Sequence, residues 1–199
     1  MPLVISKTLI LMWYANYPFD QGKHILFLRH AERSPFKPGS FGHETRLTKK
    51  GKEDAEKVGE NLSTFQWGEV HSSPLVRCEE TALSFLKGAK QKLPIHYSNY
   101  LGNPGVFVAN PELTGRYFLE NSIMDIINQT CSSTPVPGMK SLEEGVLLFI
   151  DYLKTIKLFP CLMITHDLII ALLKSYFFKT PPQIPQFLDG FSVEMGELQ

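Results

Sequence analysis

Short apolar runs alternate with amphipathic segments along the chain, and this alternation limits the fold more than any other feature of the sequence. Four runs have the length of buried strands: 24–28, 69–72, 95–101 and 161–164. Five segments repeat apolar side chains at helical spacing: 48–62, 74–88, 116–129, 142–156 and 168–178. The alternation predicts an α/β fold with three layers, α/β/α, around a mostly parallel central sheet. We expect one domain over residues 1–199, with 102–138 as a small cap or insertion and a final edge strand within 187–195.

Composition narrows the class of function. The 199 residues carry a formal net charge of zero, which gives no sign of a nucleic acid partner or of an anionic membrane surface. The three cysteines, Cys78, Cys131 and Cys161, are scattered, so neither a disulfide framework nor a zinc site is expected. This usage indicates a reducing compartment, and we expect a cytoplasmic protein.

The apolar run 9–15 near the N-terminus leaves one alternative open. It is too short to span a bilayer. It is consistent with a weak export signal, in which case the protein would be periplasmic or secreted. Because no small-residue cleavage site follows it, we favour a segment that packs on the domain or forms an edge strand.

Polar motifs follow three of the predicted strands, each at the junction with the next helix. Arg29 and His30 follow the first strand, Arg77 lies in the first turn after the second, and His166 and Asp167 follow the strand 161–164. Ligands of open α/β sheets bind at the carboxyl ends of the strands. The three motifs are therefore expected to meet at one edge of the sheet.

These residue types suit phosphoryl chemistry. A neutral imidazole can attack phosphorus, and neighbouring guanidinium groups both lower the histidine pKa and bind phosphate oxygens in pairs. A helix N-terminus beside Arg77 adds to the anion site. Taken singly, each motif has an ordinary explanation, namely surface arginines beside His30, an exposed helical Arg77 and an N-cap Asp167.

Together the motifs resemble those of the histidine phosphatase superfamily. Residues 29–31 (Arg-His-Ala) are similar to its opening Arg-His-Gly, 47–51 to its Leu-Thr-x-x-Gly helix start, and 72–82 to its second block. Residues 166–167 resemble its closing histidine. The resemblance implies a phosphoglycerate mutase-like fold and a phosphohistidine intermediate.

The resemblance also implies roles for single residues. His30 would be the nucleophile and Asp167 the proton donor, with Glu112 as the alternative donor. Four side chains would bind the phosphoryl group: Arg29, Arg33, Arg77 and His166. The expected activity is that of a phosphomonoesterase that needs no metal and no cofactor and has a bell-shaped pH profile. Its substrate would be a small phosphorylated molecule or a phosphoprotein.

Some features leave alternatives open. The acid-phosphatase-like branch of the superfamily is favoured, because Arg33, Pro35 and the pair His166-Asp167 resemble the extended patterns of that branch. The large helical cap of that branch is mostly missing from this sequence. Ala31 stands where the family has glycine, which suits a residue with negative φ. A phosphomutase and an inactive phosphate- or phosphopeptide-binding module remain alternatives, and the oligomeric state is open. Five loop or helix residues are candidates for contact with the substrate: Phe36, Phe41, His43, Phe107 and Tyr117.

Overall fold

The computed structural model describes residues 3–5, 23–37 and 39–197, and within them a single six-stranded sheet forms the centre of the molecule. Its strands are β1 (Leu3–Ile5), β2 (His24–Arg29), β3 (Glu69–Ser72), β4 (Ile95–Tyr97), β5 (Cys161–Thr165) and β6 (Gly190–Glu194). Their order across the sheet is β1-β6-β2-β5-β3-β4. Strands β2, β5, β3 and β4, which are adjacent in this order, are parallel to one another, and β6 is antiparallel to both of its neighbours, β1 and β2. The predicted mostly parallel sheet is confirmed.

Helices cover both faces of this sheet. They are α1 (Lys49–Asn61), α2 (Val76–Gly88), α3 (Pro111–Glu120), α4 (Ile123–Cys131), α5 (Leu142–Leu153) and α6 (Asp167–Phe178), with 3-10 turns at Asn99–Leu101 and Met195–Glu197. Successive side chains of a strand point to opposite faces. Accordingly Ile25 and Phe27 join the core under α4, α5 and α6, whereas Leu26 and Leu28 join the core under α1 and α2. This is the three-layer α/β/α fold that the alternation predicts.

The segment 102–138 differs from its prediction in local detail. The single helix expected over 116–129 is two helices, α3 and α4, and α3 already begins at Pro111 behind an Asn110 cap. The break falls where Ser122 accepts a hydrogen bond from the Asp125 amide and so starts α4 anew. Phe107 and Ile126 of this segment belong to the same core as the sheet residue Phe27.

Two strand predictions were also imprecise. The run 95–101 forms a strand only to Tyr97 and then a 3-10 turn. Strand β6 is not at the edge, because β1 pairs with its outer side. The apolar run 9–15 lies outside the described residues. Among the residues described, no helix has the length and hydrophobicity needed to cross a membrane.

The start of α2 differs from the helix predicted over 74–88. Ser73 followed by Pro74 has the sequence pattern of a helix start, but the helix begins at Val76, and Leu75 occupies the cap position without a side-chain cap bond. The Ser73 hydroxyl is instead 2.9 Å from Nε2 of His166. A serine that looks like a cap in the sequence therefore contacts the predicted site.

Candidate active site

His30 lies at the carboxyl end of β2, in the middle of the sheet, and only 2% of its surface is exposed. Its backbone N–H donates to the carbonyl of Thr165 at the end of β5. In the ring, Nδ1 lies 2.9 Å from the carbonyl oxygen of Ala31. Since a carbonyl only accepts, Nδ1 carries the proton and Nε2 keeps a free lone pair.

The surroundings of His30 hold its ring neutral. Burial lowers its pKa well below the ordinary 6.5. The electrostatic interaction with His166 and the positive charges of Arg77 and Arg29 lower the pKa further, against the opposing bond to Ala31. A neutral ring at neutral pH is what a histidine nucleophile requires.

His166, which directly precedes α6, lies beside His30 with 5.4 Å between the ring centroids. Burial and three arginines lower its pKa well below 6.5 as well. Gly102 makes room for the ring, because a Cβ on Gly102 would stand 2.3 Å from Cδ2 of His166. Gly102 also has a φ of +137°, a conformation that favours glycine. The Sγ atom of the buried Cys78 is 3.5 Å from Nε2 of His166.

Three arginines share one unusual property. In each of them Nε is buried and has no hydrogen-bond partner in the described part of the chain: Arg29, Arg33 and Arg77. The outer nitrogens are held by the protein, since Arg29 donates to the carbonyl of Pro185 and Arg77 to that of Gly42. A buried unpaired donor is costly unless a ligand supplies the acceptor.

The same arginines are close enough to affect one another. Burial and the charges of Arg77 and Arg29 lower the pKa of Arg33 to about 10. Such crowding of like charges is unfavourable without an anion among them. The three guanidinium groups and His166 therefore make a place suited to an anion beside His30, and we call these four residues the anion cradle.

Asp167 is the acidic member of this site. Its Oδ2 is 2.6 Å from Nη2 of Arg29, and its Oδ1 accepts from the amide of Leu168 in the first turn of α6. Glu112, the alternative donor, lies on α3 with 74% of its side chain exposed and pairs with Arg116. Of the two carboxylates, Asp167 is the one that contacts a residue of the cradle within the described part of the chain.

Part of the chain matches the model of a known protein family. Residues 25–103 match the family model of the histidine phosphatase superfamily, branch 1. This stretch contains the motifs that begin at Arg29 and at Ser72. Over that stretch, about two fifths of its length, the chain is similar to the histidine phosphatase superfamily. The preference for the acid-phosphatase-like branch is not confirmed, since the matching model is that of branch 1.

Solved structures have the same fold. A phosphoglycerate mutase from Bacillus anthracis superposes with a TM-score of 0.60 at 20% identity, over 87% of this chain and 88% of that one. A mycobacterial glucosyl-3-phosphoglycerate phosphatase superposes with a TM-score of 0.55 at 19% identity, over 81% and 82% of the two chains. No curated protein sequence gave a significant match. At these identities the likeness concerns the fold.

The alanine that replaces the superfamily's glycine fits this site. Ala31 does not have a positive φ, so its Cβ causes no backbone strain. Its amide donates to Oγ1 of Thr81, whose hydroxyl in turn donates to the carbonyl of Arg77. The backbone after His30 is thereby tied to the helix that carries Arg77.

A buried carboxylate anchors the loop that follows β2. Glu80 on α2 accepts from the amide of Leu47 and from the side chains of Arg46 and Lys52. These bonds lower its pKa despite its burial. They fix the end of loop 34–46, whose Gly42 carbonyl holds Arg77.

Two side chains of the site were missed by sequence reasoning. Phe187 stacks on Arg29 and lies beside His30, and Pro185 supplies a carbonyl to Arg29. They come from the stretch before β6, where no motif marks them. The antiparallel return of β6 beside β2 brings them to this site.

The candidates for contact with the substrate lie in different parts of the structure. Phe36 lies on Arg33, next to the cradle. Phe107 is buried in the core against Gly145, so its placement on the substrate side was wrong. Phe41 is 40% exposed and lies beside His43. The hydroxyl of Tyr117 donates to the side chain of Gln129. Contact of these three residues with the substrate stays a prediction.

The two neutral histidines predict how stability depends on pH. Because folding lowers the pKa of His30 and of His166, the unfolded chain binds more protons below about pH 6.5. The free energy of unfolding should therefore fall as the pH drops from 6.5 towards the folded pKa values, by up to about 1.4 kcal/mol per pH unit for each histidine.

Urea unfolding between pH 7 and pH 5 in buffers without phosphate measures this slope. The exposed His43 provides the control, since His43→Ala should keep the slope, whereas His30→Asn should reduce it. A stability that does not change over this range would contradict the neutral, buried pair.

Proposed function

We propose that this chain is a phosphomonoesterase that transfers the phosphoryl group of its substrate to His30 and then to water. The observation that best supports the proposal is the set of three buried, unpartnered Nε–H donors around a neutral histidine. A phosphoryl group supplies acceptors for such donors and an electrophile for the ring. Members of this superfamily include phosphatases and mutases, and the substrate is proposed to be a small phosphorylated molecule or a phosphoprotein.

The reaction proceeds in two displacements. In the first, Nε2 of His30 forms a bond to phosphorus while the bond from phosphorus to the alcohol oxygen breaks. In the second, water attacks phosphorus, the P–N bond breaks and His30 is restored. The arginines stabilise the charge on the transferring oxygens, which supplies most of the rate enhancement in phosphoryl transfer.

Asp167 handles the proton in this scheme. In the empty site its carboxylate pairs with Arg29. When a monoanionic ester binds, its phosphate oxygens replace Asp167 as the acceptors of hydrogen bonds from Arg29. Asp167 then accepts the proton of the phosphate group and passes it to the departing alcohol oxygen. In the second displacement the same carboxylate takes a proton from the attacking water.

Asp167→Asn is expected to slow hydrolysis in proportion to the need for a proton. For alkyl phosphates, whose alkoxide is a poor leaving group, kcat should fall by about 10²-fold or more. For p-nitrophenyl phosphate the first displacement needs no proton, so the loss should be much smaller. Steady-state kinetics on glycerol 2-phosphate and p-nitrophenyl phosphate measure the difference.

Glu112→Gln is the matched control for this prediction. Its carboxylate is exposed and paired with Arg116, so the variant should hydrolyse both substrates like the wild type. A leaving-group-dependent loss in Glu112→Gln, together with normal kinetics of Asp167→Asn, would assign the proton donor to Glu112.

The proposed activity is tested most simply with p-nitrophenyl phosphate in the presence of EDTA. We expect many turnovers per protein molecule, with equal amounts of nitrophenol and inorganic phosphate. A chain that binds inorganic phosphate but turns over no ester across the acidic and neutral pH range would be a binding module. A chain that turns over ester only after a divalent metal is restored would contradict the metal-independent mechanism.

A further inference from the structure

Two aromatic rings flank the anion cradle on different sides. The ring centroid of Phe36 is 3.3 Å from Cζ of Arg33 and 5.3 Å from Cζ of Arg77. The ring centroid of Phe187 is 4.5 Å from Cζ of Arg29 and 5.6 Å from the ring of His30. Both rings are half-buried, so each keeps part of its surface exposed.

The first ring is held by the loop that follows β2. Gly42 packs so closely on Phe36 that a Cβ at this position would stand 2.0 Å from Cδ1 of the ring. Gly42 also has a φ of +60° and accepts the hydrogen bond from Arg77. The loop thus fixes Phe36 and one arginine of the cradle together.

The second ring is held by the segment that enters β6. The carbonyls of Pro185 and Asp189, on either side of Phe187, accept hydrogen bonds from the side chain and from the backbone of Arg29. The Asp189 side chain accepts from the Gln186 amide and closes the turn. Phe187 is therefore fixed over Arg29 rather than free to swing away.

We infer that the substrate is the phosphate ester of a flat, apolar alcohol, that is, an aromatic phosphomonoester. This inference rests on the proposed phosphatase function. An ester whose phosphoryl oxygens bind the cradle must extend its alcohol past Phe36 and Phe187, where a ring stacks favourably. Arg46, on the loop that carries Phe36, is paired with Glu80, which leaves it less able to bind a second anionic group of a substrate.

Specificity constants for benzyl phosphate and glycerol 2-phosphate test the inference. Both release an alkyl alcohol of similar basicity, so a difference reports contacts with the alcohol rather than its reactivity as a leaving group. We expect kcat/KM to favour benzyl phosphate on the order of tenfold. Equal constants, or a preference for glycerol 2-phosphate, would overturn the inference and leave the proposed function intact. Failure to hydrolyse either ester and p-nitrophenyl phosphate would instead remove the proposed function.

Phe36→Leu and Phe187→Leu assign the preference to the rings. Each variant should reduce the ratio of kcat/KM for benzyl phosphate to that for glycerol 2-phosphate severalfold. If the rings only positioned the arginines, both specificity constants would fall equally and the inhibition constant for inorganic phosphate would rise. Phe178→Leu is the matched control, since Phe178 lies at the opposite end of α6 from Asp167 and should keep the ratio. An unchanged ratio in both test variants would overturn the assignment.

The source of the aromatic ester is distinguished by a third comparison, between phenyl phosphate and a phosphotyrosine peptide. A higher kcat/KM for the peptide identifies a protein substrate, and a higher value for phenyl phosphate identifies a small molecule. If neither is hydrolysed faster than glycerol 2-phosphate, the aromatic class itself is wrong.

Discussion

Replacing His30 by alanine is expected to abolish hydrolysis of every phosphomonoester, with kcat reduced by at least about 10³-fold. The ring is the only group in the proposed scheme that forms a bond to phosphorus. Its Nε2 lone pair is available because Nδ1 donates to Ala31, and burial keeps the ring neutral. Kinetics on p-nitrophenyl phosphate give the cleanest test, because this ester needs no proton donor in the first displacement.

Two further variants make this result interpretable. His30→Asn retains an amide that can donate to the Ala31 carbonyl, so it separates loss of the nucleophile from loss of the fold. His96→Ala removes an exposed histidine from β4 and should keep wild-type kinetics. If His30→Asn is folded by circular dichroism and retains more than a tenth of the wild-type rate, His30 is not the nucleophile.

Arg77→Ala is expected to cost about 2–4 kcal/mol of transition-state stabilisation, seen as a loss of about 30- to 1000-fold in kcat/KM. Its Nε has no partner within the described residues, and its Nη1 is bound to the Gly42 carbonyl. The variant removes a donor to the phosphoryl group and also releases the loop that carries Phe36. Arg77→Lys should recover little, because an ammonium group lacks the planar pair of donors.

Arg116→Ala is the matched control for the cradle, since Arg116 is an exposed arginine paired with Glu112. It should change kcat/KM by less than twofold. Competitive inhibition by inorganic phosphate provides a second measure, and its inhibition constant should rise in Arg77→Ala. Normal inhibition and normal kcat/KM in that variant would remove Arg77 from the cradle.

The sequence predicted the parts of the site that lie in continuous motifs. His30 and His166 directly follow parallel strands, and Arg77 lies in the first turn of the helix after β3, so the strand order brings them to the same edge of the sheet. Arg77 lies in the first turn of α2 as the sequence predicts, although the helix begins two residues later than expected, at Val76.

Other parts depend on contacts between distant segments and leave no local signal. Phe187 reaches Arg29 only because β6 returns antiparallel to β2, a pairing that its apolar residues do not specify. Ser73 has the sequence of a helix cap, but the ring of His166 takes its hydroxyl. Phe107 was one of the candidates for contact with the substrate and is in the core, since a loop phenylalanine has the same sequence appearance in either place.

Direct detection of a phosphohistidine tests the central claim. The protein is mixed with radiolabelled p-nitrophenyl phosphate and quenched in alkali within the first turnover, because the P–N bond survives alkali and breaks in acid. Peptide mapping should then find the label on His30, in the wild type and not in His30→Asn. Label on a different residue, or release of nitrophenol with all label in inorganic phosphate at every time point, would contradict a phosphohistidine on His30.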